Sequence, residues 1–354
     1  MHGGNISSGI DIDFSVSLNP YTDPAVESAI EEAAGLGLKH ARSYPDIDQT
    51  KVRAAIAGSV GINPDCVIAA NGSSELIMAA VRAFMPKSAL LCRPCFGGYE
   101  HALKSVGGCK IRDHYTKEED GYALTKDVLA HMTEDIDLMF LCDPANPSGQ
   151  NIDEGLLESI LKRADELNIK VILDESFLML SDKYQKYTDE KTAQKYTDFK
   201  NLIVIRSYTK CFALPGIRMG YALSCLENIK ILRQNLPEWN LSSIGNALMS
   251  RLSNRPMIVG FLDKSHDLIT SERKYLSGEL ASIGFKVFDS DSNFIMFKAV
   301  GKLCQINIYE KMIERGILIR KCDDFDGLSK YFYRISVCGH NDNKLLISAL
   351  RSIL

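Results

Sequence analysis

Short apolar runs alternate with longer helical patterns between about residues 66 and 225 of the chain. The runs do not alternate strictly with polar residues, which is typical of strands that are covered on both faces. Residues 74–84 repeat apolar side chains at helical spacing. Strands that alternate with helices predict βαβ units and a mostly parallel sheet. The predicted strands cover residues 66–70, 89–92, 138–142, 170–173, 202–206 and 219–222.

The pattern changes after Leu226, where long helical segments cover residues 228–236, 242–252 and 257–280. A second, smaller α/β module follows them and ends in a closing helix. Its predicted strands lie near residues 286–288, 294–297, 318–320 and 333–337.

Composition and charge exclude several classes of protein. The net charge of −4 argues against a nucleic-acid-binding face, which needs clustered basic residues. No apolar run reaches the roughly 18 residues of a membrane span, and the N-terminus lacks the pattern of a signal peptide. Most of the ten cysteines lie in apolar runs, which predicts a reducing, cytoplasmic location. Cys92 and Cys95 form one CxxC without a second pair, so we predict no metal site.

Two polar segments follow predicted strands and suit a bound ligand. Asn71-Gly72-Ser73-Ser74-Glu75 opens a helix, whose free backbone N–H groups and small hydroxyls fit a phosphate. An ordinary serine N-cap has the same pattern, and this alternative stays open. Residues 143–149 form a rigid proline-rich turn at the end of a strand, where ligands of open α/β sheets gather. Asn146 can donate an amide hydrogen bond to a ring oxygen there, although a plain strand-to-helix turn is the alternative.

Asp174 and Lys210 are the charged residues that end two further strands. A carboxylate at the end of an apolar strand needs a partner, and a protonated pyridine nitrogen is one. A helix cap or a metal ligand is the alternative for Asp174. Lys210 closes the segment 207–210 and can form a Schiff base when its amine is neutral. Arg218 and the nearby hydroxyls complete a phosphate cup, although this segment taken alone resembles a surface turn.

The order of these motifs resembles that of fold-type I enzymes dependent on pyridoxal-5'-phosphate (PLP). The motifs are Gly72-Ser73-Ser74-Glu75, Pro94-Cys95-Phe96-x-x-Tyr99, Asn146-Pro147-Ser148-Gly149, Asp174-Glu175, Ser207-x-Thr209-Lys210 and Gly216-x-Arg218-x-Gly220. The resemblance implies the α/β aspartate-aminotransferase fold: a large domain with a mostly parallel seven-stranded sheet and a smaller C-terminal α/β domain. We expect an N-terminal segment of residues 1–40 that contributes to the small domain and the active site, a PLP-binding domain of residues 41–250 and a small domain of residues 251–354.

The same resemblance implies a role for each site residue. Lys210 would carry the cofactor covalently, Asp174 would pair with the pyridine nitrogen, Asn146 would bind the 3-hydroxyl oxygen and Phe96 would stack on the ring. Tyr44 would reach the phosphate of the neighbouring subunit's cofactor in a homodimer. The residues expected to hold the 5'-phosphate are Ser73, Ser74, Ser207, Thr209 and Arg218.

The resemblance is greatest to L-threonine-O-3-phosphate decarboxylases and histidinol-phosphate aminotransferases. Arg334 resembles the arginine that binds a substrate carboxylate. His2, Asn19 and Arg320 are candidates for binding a distal anion. A disordered terminus is the general expectation for His2, and a surface position at a strand end is the alternative for Arg320. Phe177 stands where such transaminases commonly have a tyrosine.

We therefore predict a PLP-dependent decarboxylase of a phosphorylated or phosphono amino acid, with an aminotransferase of the histidinol-phosphate type as the alternative. A cofactor-free binding protein on the same fold is a third class, which the presence of Lys210, Asp174, Asn146 and Arg218 disfavours. The chain could also be one domain of a longer polypeptide. Its sequence leaves the pathway open between cobalamin side-chain synthesis, phosphonate or phospholipid head-group metabolism and histidine synthesis.

Overall fold

A computed structural model describes residues 9–353 of the chain. Its strands are β1 (Ile12–Asp13), β2 (Val67–Ala70), β3 (Ser88–Arg93), β4 (Lys110–Tyr115), β5 (Leu138–Cys142), β6 (Lys170–Asp174), β7 (Leu202–Ser207), β8 (Gly220–Ser224), β9 (Lys286–Val287), β10 (Phe294–Lys298), β11 (Ile317–Leu318), β12 (Arg320–Lys321) and β13 (Phe332–Ser336).

The α-helices lie between these strands and are longest in the second half of the chain. They are α1 (Pro24–Lys39), α2 (Thr50–Val60), α3 (Ser73–Phe84), α4 (Gly97–Ser105), α5 (Glu154–Glu166), α6 (Glu190–Asp198), α7 (Tyr208–Cys211), α8 (Leu226–Gln234), α9 (Ser243–Leu252), α10 (Arg255–Ile283), α11 (Ile308–Ile313) and α12 (His340–Ser352). None of the helices within residues 9–353 is long and apolar enough to cross a membrane.

The large sheet has seven strands in the order β2-β8-β7-β6-β5-β3-β4. Strands β3 to β7 pair in parallel, whereas β8 runs antiparallel to both of its neighbours. The predicted mostly parallel sheet is therefore confirmed. The sequence prediction missed β4, which lies at the sheet edge and alternates exposed and half-buried residues. Its residues Lys110, Arg112 and Asp113 suit an edge strand, because charges there prevent pairing with another chain.

Apolar clusters cover both faces of this sheet, as the unbroken apolar strands predict. Along β6, Val171 and Leu173 join one cluster, while Ile172 joins the cluster on the opposite face. Successive side chains of a strand point to opposite faces, so a strand buried on both sides needs apolar residues at every position. The sheet is thus fixed from both sides, and the ends of its strands are held as a rigid edge.

A four-stranded antiparallel sheet, in the order β12-β13-β10-β9, forms the smaller module. The single strand predicted near residues 318–320 is instead two short strands with different partners. Strand β11 pairs in parallel with β1, and β12 pairs with β13. Phe14, directly after β1, is fully buried in the apolar core of this smaller module. Residues 12–14 are therefore part of the small module, whereas Val26 and Ala33 of α1 belong to an apolar cluster of the large sheet.

Candidate active site

A cavity of about 530 Å³ lies where β5, β6 and β7 end, between the large sheet and the smaller one. The carboxyl ends of parallel strands meet at one edge, so residues far apart in sequence converge there. The structure brings most of the predicted site residues to this cavity. Those that line it are Ser73, Ser74, Phe96, Asn146, Asp174, Ser207, Thr209, Lys210, Arg218, Arg320 and Arg334.

The start of α3 forms one end of the cavity and has the geometry of an anion site. Gly72 precedes the helix with φ +80°, and within residues 9–353 no side chain caps its first turn. The side chain of Arg218 lies close to Gly72, since a Cβ on Gly72 would be 2.9 Å from its Nη2. Free N–H groups, the helix dipole and a guanidinium all favour a phosphate here.

Strand β8 approaches this helix start closely because it begins with a glycine. A Cβ on Gly220 would lie 2.6 Å from the carbonyl carbon of Gly72 and 2.7 Å from the amide nitrogen of Ser73. Real side chains do not tolerate such distances, so only glycine allows the two segments to touch. The motif residue Gly220 therefore sets the position of the helix start.

Asp174 lies deep in the cavity at the end of β6. Its Oδ2 accepts a hydrogen bond of 2.8 Å from the Tyr99 hydroxyl, and its Oδ1 accepts one of 2.9 Å from the Ser176 amide. Burial raises the pKa of the Asp174 carboxyl, and these hydrogen bonds offset only part of the rise. A cationic partner in the cavity would hold the carboxyl ionised, as a protonated pyridine nitrogen does.

Tyr99 was part of a sequence motif, but its contact with Asp174 was not predicted. Its ring stacks on Phe140 with 4.6 Å between centroids, and it meets Phe96 edge to face at 5.6 Å. Tyr99 and Asp174 are 75 residues apart in sequence, so their hydrogen bond is seen only once α4 is packed against the sheet.

Lys210 lies on α7, the single turn of helix between β7 and β8. Burial first, and then the positive charges of Arg334 and Arg218, lower the pKa of Lys210 to about 8. Its amine is therefore neutral far more often near neutral pH than that of an exposed lysine, which is what a nucleophilic lysine needs. The Nζ atom lies 5.8 Å from the ring centre of Phe177, which offers no hydroxyl.

Two of the predicted residues within the described part of the chain, Asn19 and Tyr44, do not line the cavity. Asn19 donates from Nδ2 to the carbonyl of Cys211 and to the Ser265 hydroxyl, at 3.0 and 2.9 Å, so both amide hydrogens are used. Its own backbone amide donates to the carbonyl of Lys210 at 3.0 Å, which places Asn19 behind the lysine rather than beside a substrate. Tyr44 is 83% exposed and lies away from the cavity of its own chain. His2 lies outside the described residues.

Two arginines face the cavity from the smaller sheet. Arg320 on β12 and Arg334 on β13 are direct partners in the antiparallel register, so their side chains project from the same face. Arg334 donates to Asn146 Oδ1 and, at 3.0 Å, to the carbonyl of Ser15, while its Nε has no partner among residues 9–353. Burial lowers the pKa of Arg334 to about 10.

Arg320 is held differently from its neighbour. Its Nη2 donates to both carboxylate oxygens of Asp324, at 2.7 and 2.9 Å, and its Nη1 donates to the carbonyl of Lys321 at 2.5 Å. The cavity therefore contains two adjacent guanidinium groups, one of which is neutralised by a carboxylate of its own chain.

A lysine of lowered pKa, a buried carboxylate and an anion site at a helix start together fit PLP, and they define a PLP-dependent enzyme. The chain belongs to the class I and II aminotransferase family, whose model matches residues 10–350 and whose members use this cofactor. Its fold is shared with a double mutant of aspartate aminotransferase from Thermus thermophilus, at a TM-score of 0.81 and 17% identity over 98% of this chain and 92% of that one. The predicted fold and cofactor are therefore confirmed.

Two kinds of curated relative are similar to the chain. A protein from Caldanaerobacter subterraneus described as a putative threonine-phosphate decarboxylase is 33% identical over 99% of this chain and 93% of its own length. A histidinol-phosphate aminotransferase of the same organism is also 33% identical, over 89% of this chain and 85% of its own length. Both decarboxylases and aminotransferases therefore occur among the relatives of this chain.

Proposed function

We propose that the protein is a PLP-dependent decarboxylase of an amino acid with a distal phosphate or phosphonate, of the threonine-phosphate type. The observation that carries the proposal is the pair Arg320 and Arg334 on neighbouring strands. One guanidinium can bind the α-carboxylate and the other the distal anion, since guanidinium matches both groups in geometry and charge. An amino acid with a single anionic group would engage only one of the two guanidinium groups that face the cavity.

The residues of the large sheet would hold the cofactor. The start of α3, with Ser73 and Ser74, would bind its phosphate together with Arg218, Ser207 and Thr209. Asp174 would keep the ring nitrogen protonated, so that the bound cofactor supplies an electron sink for the bond that breaks. Lys210 would carry the cofactor and hold the proton that is exchanged at the substrate α-carbon.

Orientation of the substrate decides which bond breaks. Arg334 is fixed by Asn146 and by the carbonyl of Ser15, so a carboxylate bound to it has a defined direction. Decarboxylation requires that the bond to the carboxylate stands perpendicular to the ring, and a rigid arginine can impose this. Lys210 would then return a proton to the α-carbon from which CO2 has left.

Two further observations favour this reaction over its alternative. The decarboxylase relative is 33% identical over 99% of the chain. One aminotransferase relative reaches 33% identity over only 89% of the chain, and another that covers 97% of the chain is 28% identical. Phe177, at the position where the aminotransferases commonly have a tyrosine, removes a hydrogen-bond donor from beside Lys210. The 33% identity reached by relatives of both kinds keeps transamination of the histidinol-phosphate type as the second candidate.

A homodimer is part of the proposal. Tyr44 and Trp239 are 83% and 43% exposed, and their rings lie 5.0 Å apart on the surface. Exposed Leu36, Leu38 and Ile47 add apolar area nearby in sequence. Burial of such residues between two copies would be favourable, and Tyr44 would then be free to reach the partner's cofactor. Light scattering of the purified protein gives the mass directly, and a monomer at micromolar concentration would refute the dimer.

The reaction is tested with O-phospho-L-threonine and O-phospho-L-serine on the PLP-loaded enzyme. Release of CO2 with the cofactor spectrum restored after each turnover is the expected result. Conversion of the cofactor to its amino form without CO2 would instead establish the aminotransferase. Asp323→Asn, a charge change next to the cavity that does not line it, serves as a control for surface effects.

A further inference from the structure

Asp324 lies in the cavity wall beside Arg320 and accepts the hydrogen bonds that a ligand anion could otherwise accept from this arginine. Both residues line the cavity, and the Arg320 Nη2 atom donates to both oxygens of Asp324. The side chain of Arg320 is 9% exposed, and that of Asp324 is 34% exposed. A buried cation without a partner is costly, so this pair stabilises Arg320 while no substrate is present.

The carboxylate also limits which ligands can use Arg320. An anion that binds this guanidinium must displace Asp324 or lie beside a second negative charge. A neutral hydroxyl side chain has no means to break the pair, and a single carboxylate merely exchanges one carboxylate for another. A phosphate monoester carries a charge of nearly −2 at neutral pH and offers three acceptor oxygens, so it can replace Asp324 with a net gain.

We propose that Asp324 is a specificity-determining residue that competes with the distal group of the substrate for Arg320. The inference rests on the proposed function, because it assumes that the distal anion binds Arg320. Asp324 then has two roles in substrate choice. It keeps Arg320 neutralised in the free enzyme, and it reserves that arginine for a ligand of higher charge than a carboxylate.

The residues around Asp324 allow a ligand to replace its carboxylate without a larger rearrangement. Arg320 stays in place without Asp324, because its Nη1 also donates to the carbonyl of Lys321 and its guanidinium lies 5.0 Å from the ring centre of Phe325. Asp326, two residues further on, accepts a hydrogen bond of 2.8 Å from Tyr115 of the large sheet. The pairing of β12 with β13 holds the segment before Asp324, and Tyr115 holds it after Asp324, so a ligand can replace the carboxylate by moving the Asp324 side chain and not the backbone.

The test measures binding of O-phospho-L-threonine, L-threonine and L-glutamate to the holoenzyme through the change in its visible spectrum. Asp324→Asn is expected to lower the apparent Kd for phosphothreonine about tenfold, an effect moderated by the partial exposure of the carboxylate. The Kd for L-threonine, which brings no distal anion to Arg320, is expected to stay within about twofold. The Kd for L-glutamate is expected to fall at least as much as that for phosphothreonine, because its distal carboxylate no longer competes with Asp324. Asp323→Asn removes the same charge one residue away, from a half-exposed pair with Lys321, and is expected to change none of these values.

A second comparison uses Arg320→Gln and the double variant with Asp324→Asn. Arg320→Gln removes the guanidinium that donates to Asp324 but keeps the negative charge of Asp324 in the cavity wall, so it should raise the Kd for phosphothreonine. The double variant should recover part of this loss. Equal effects of Asp324→Asn on phosphothreonine and threonine, an unchanged Kd for glutamate, or a double variant no better than Arg320→Gln would overturn the inference.

CO2 release and the cofactor spectrum are measured separately in the same preparations. Transamination without CO2 would refute the proposed decarboxylase. The ratio of affinities, measured in that case with histidinol phosphate and histidinol, would still decide the role of Asp324.

Discussion

Replacement of Gly220 by alanine tests whether the close approach of β8 positions the phosphate site. The added Cβ would lie 2.6 Å from the Gly72 carbonyl carbon, whereas ordinary contacts begin near 3.4 Å, so one backbone must move by about 0.8 Å. The atoms involved are main-chain atoms, which cannot rotate away as the end of a side chain can. We therefore expect the start of α3 to shift relative to Arg218.

A shift of this size is enough to break one charge-assisted hydrogen bond to the cofactor phosphate. Such a bond is worth about 1.5–3 kcal/mol, which corresponds to a tenfold to hundredfold rise in the Kd for PLP. The Kd is measured by absorbance titration of the apoenzyme at 20 °C, and thermal unfolding of the apoenzyme is recorded in parallel. We expect the overpacking to cost about 1–3 kcal/mol of stability.

Gly216→Ala is the matched control, because Gly216 lies in the same connection between β7 and β8 and a Cβ there would meet nothing within 4 Å. This variant should bind PLP with the affinity of the wild type. If Gly220→Ala also bound PLP normally, the close approach would not set the geometry of the site, and the reasoning would be refuted.

Two further predictions concern buried charges. The pKa of Lys210 near 8 predicts that the rate of PLP attachment to the apoenzyme rises with pH up to about 8 and then levels off, because only the neutral amine reacts. Arg334→Gln removes a cation that lowers this pKa, so its profile should shift to higher pH, and a wild-type rate still rising at pH 10 would contradict the assignment. Arg206 pairs with Glu175 at 2.7 Å with both side chains almost fully buried, so Arg206→Met should lower the free energy of unfolding by about 3–5 kcal/mol. Denaturant titration should show a smaller loss for the double variant with Glu175→Leu, and an equal loss would argue that the arginine acts through packing alone.

Residues at the ends of the buried strands were predictable from sequence. Asp174 and Lys210 each follow an apolar strand, and parallel strands bring their carboxyl ends to one edge. The order of the motifs along the chain therefore indicated which residues would meet at this edge of the sheet. Strand β4 was missed because an edge strand has one neighbour and needs no unbroken apolar run.

Contacts between the two sheets were not predictable in the same way. The hydrogen bond from Arg334 to Asn146 joins residues 188 positions apart, and it depends on how the smaller sheet docks. No periodicity in the sequence specifies that docking. The same reason explains Asn19, which was expected beside the substrate but instead supports the backbone of Lys210.

The order of the strands along the chain also means that the two walls of the cavity can form at different times during synthesis. Ser207 and Gly220 are register partners in neighbouring antiparallel strands, so Lys210 and Arg218 belong to one short hairpin connection that can close locally. Arg334 instead reaches a carbonyl 319 positions earlier, at Ser15. A ribosome must therefore synthesise nearly the entire chain before the cavity gains its second wall. A nascent chain could hold the lysine half of the site long before it could recognise a substrate.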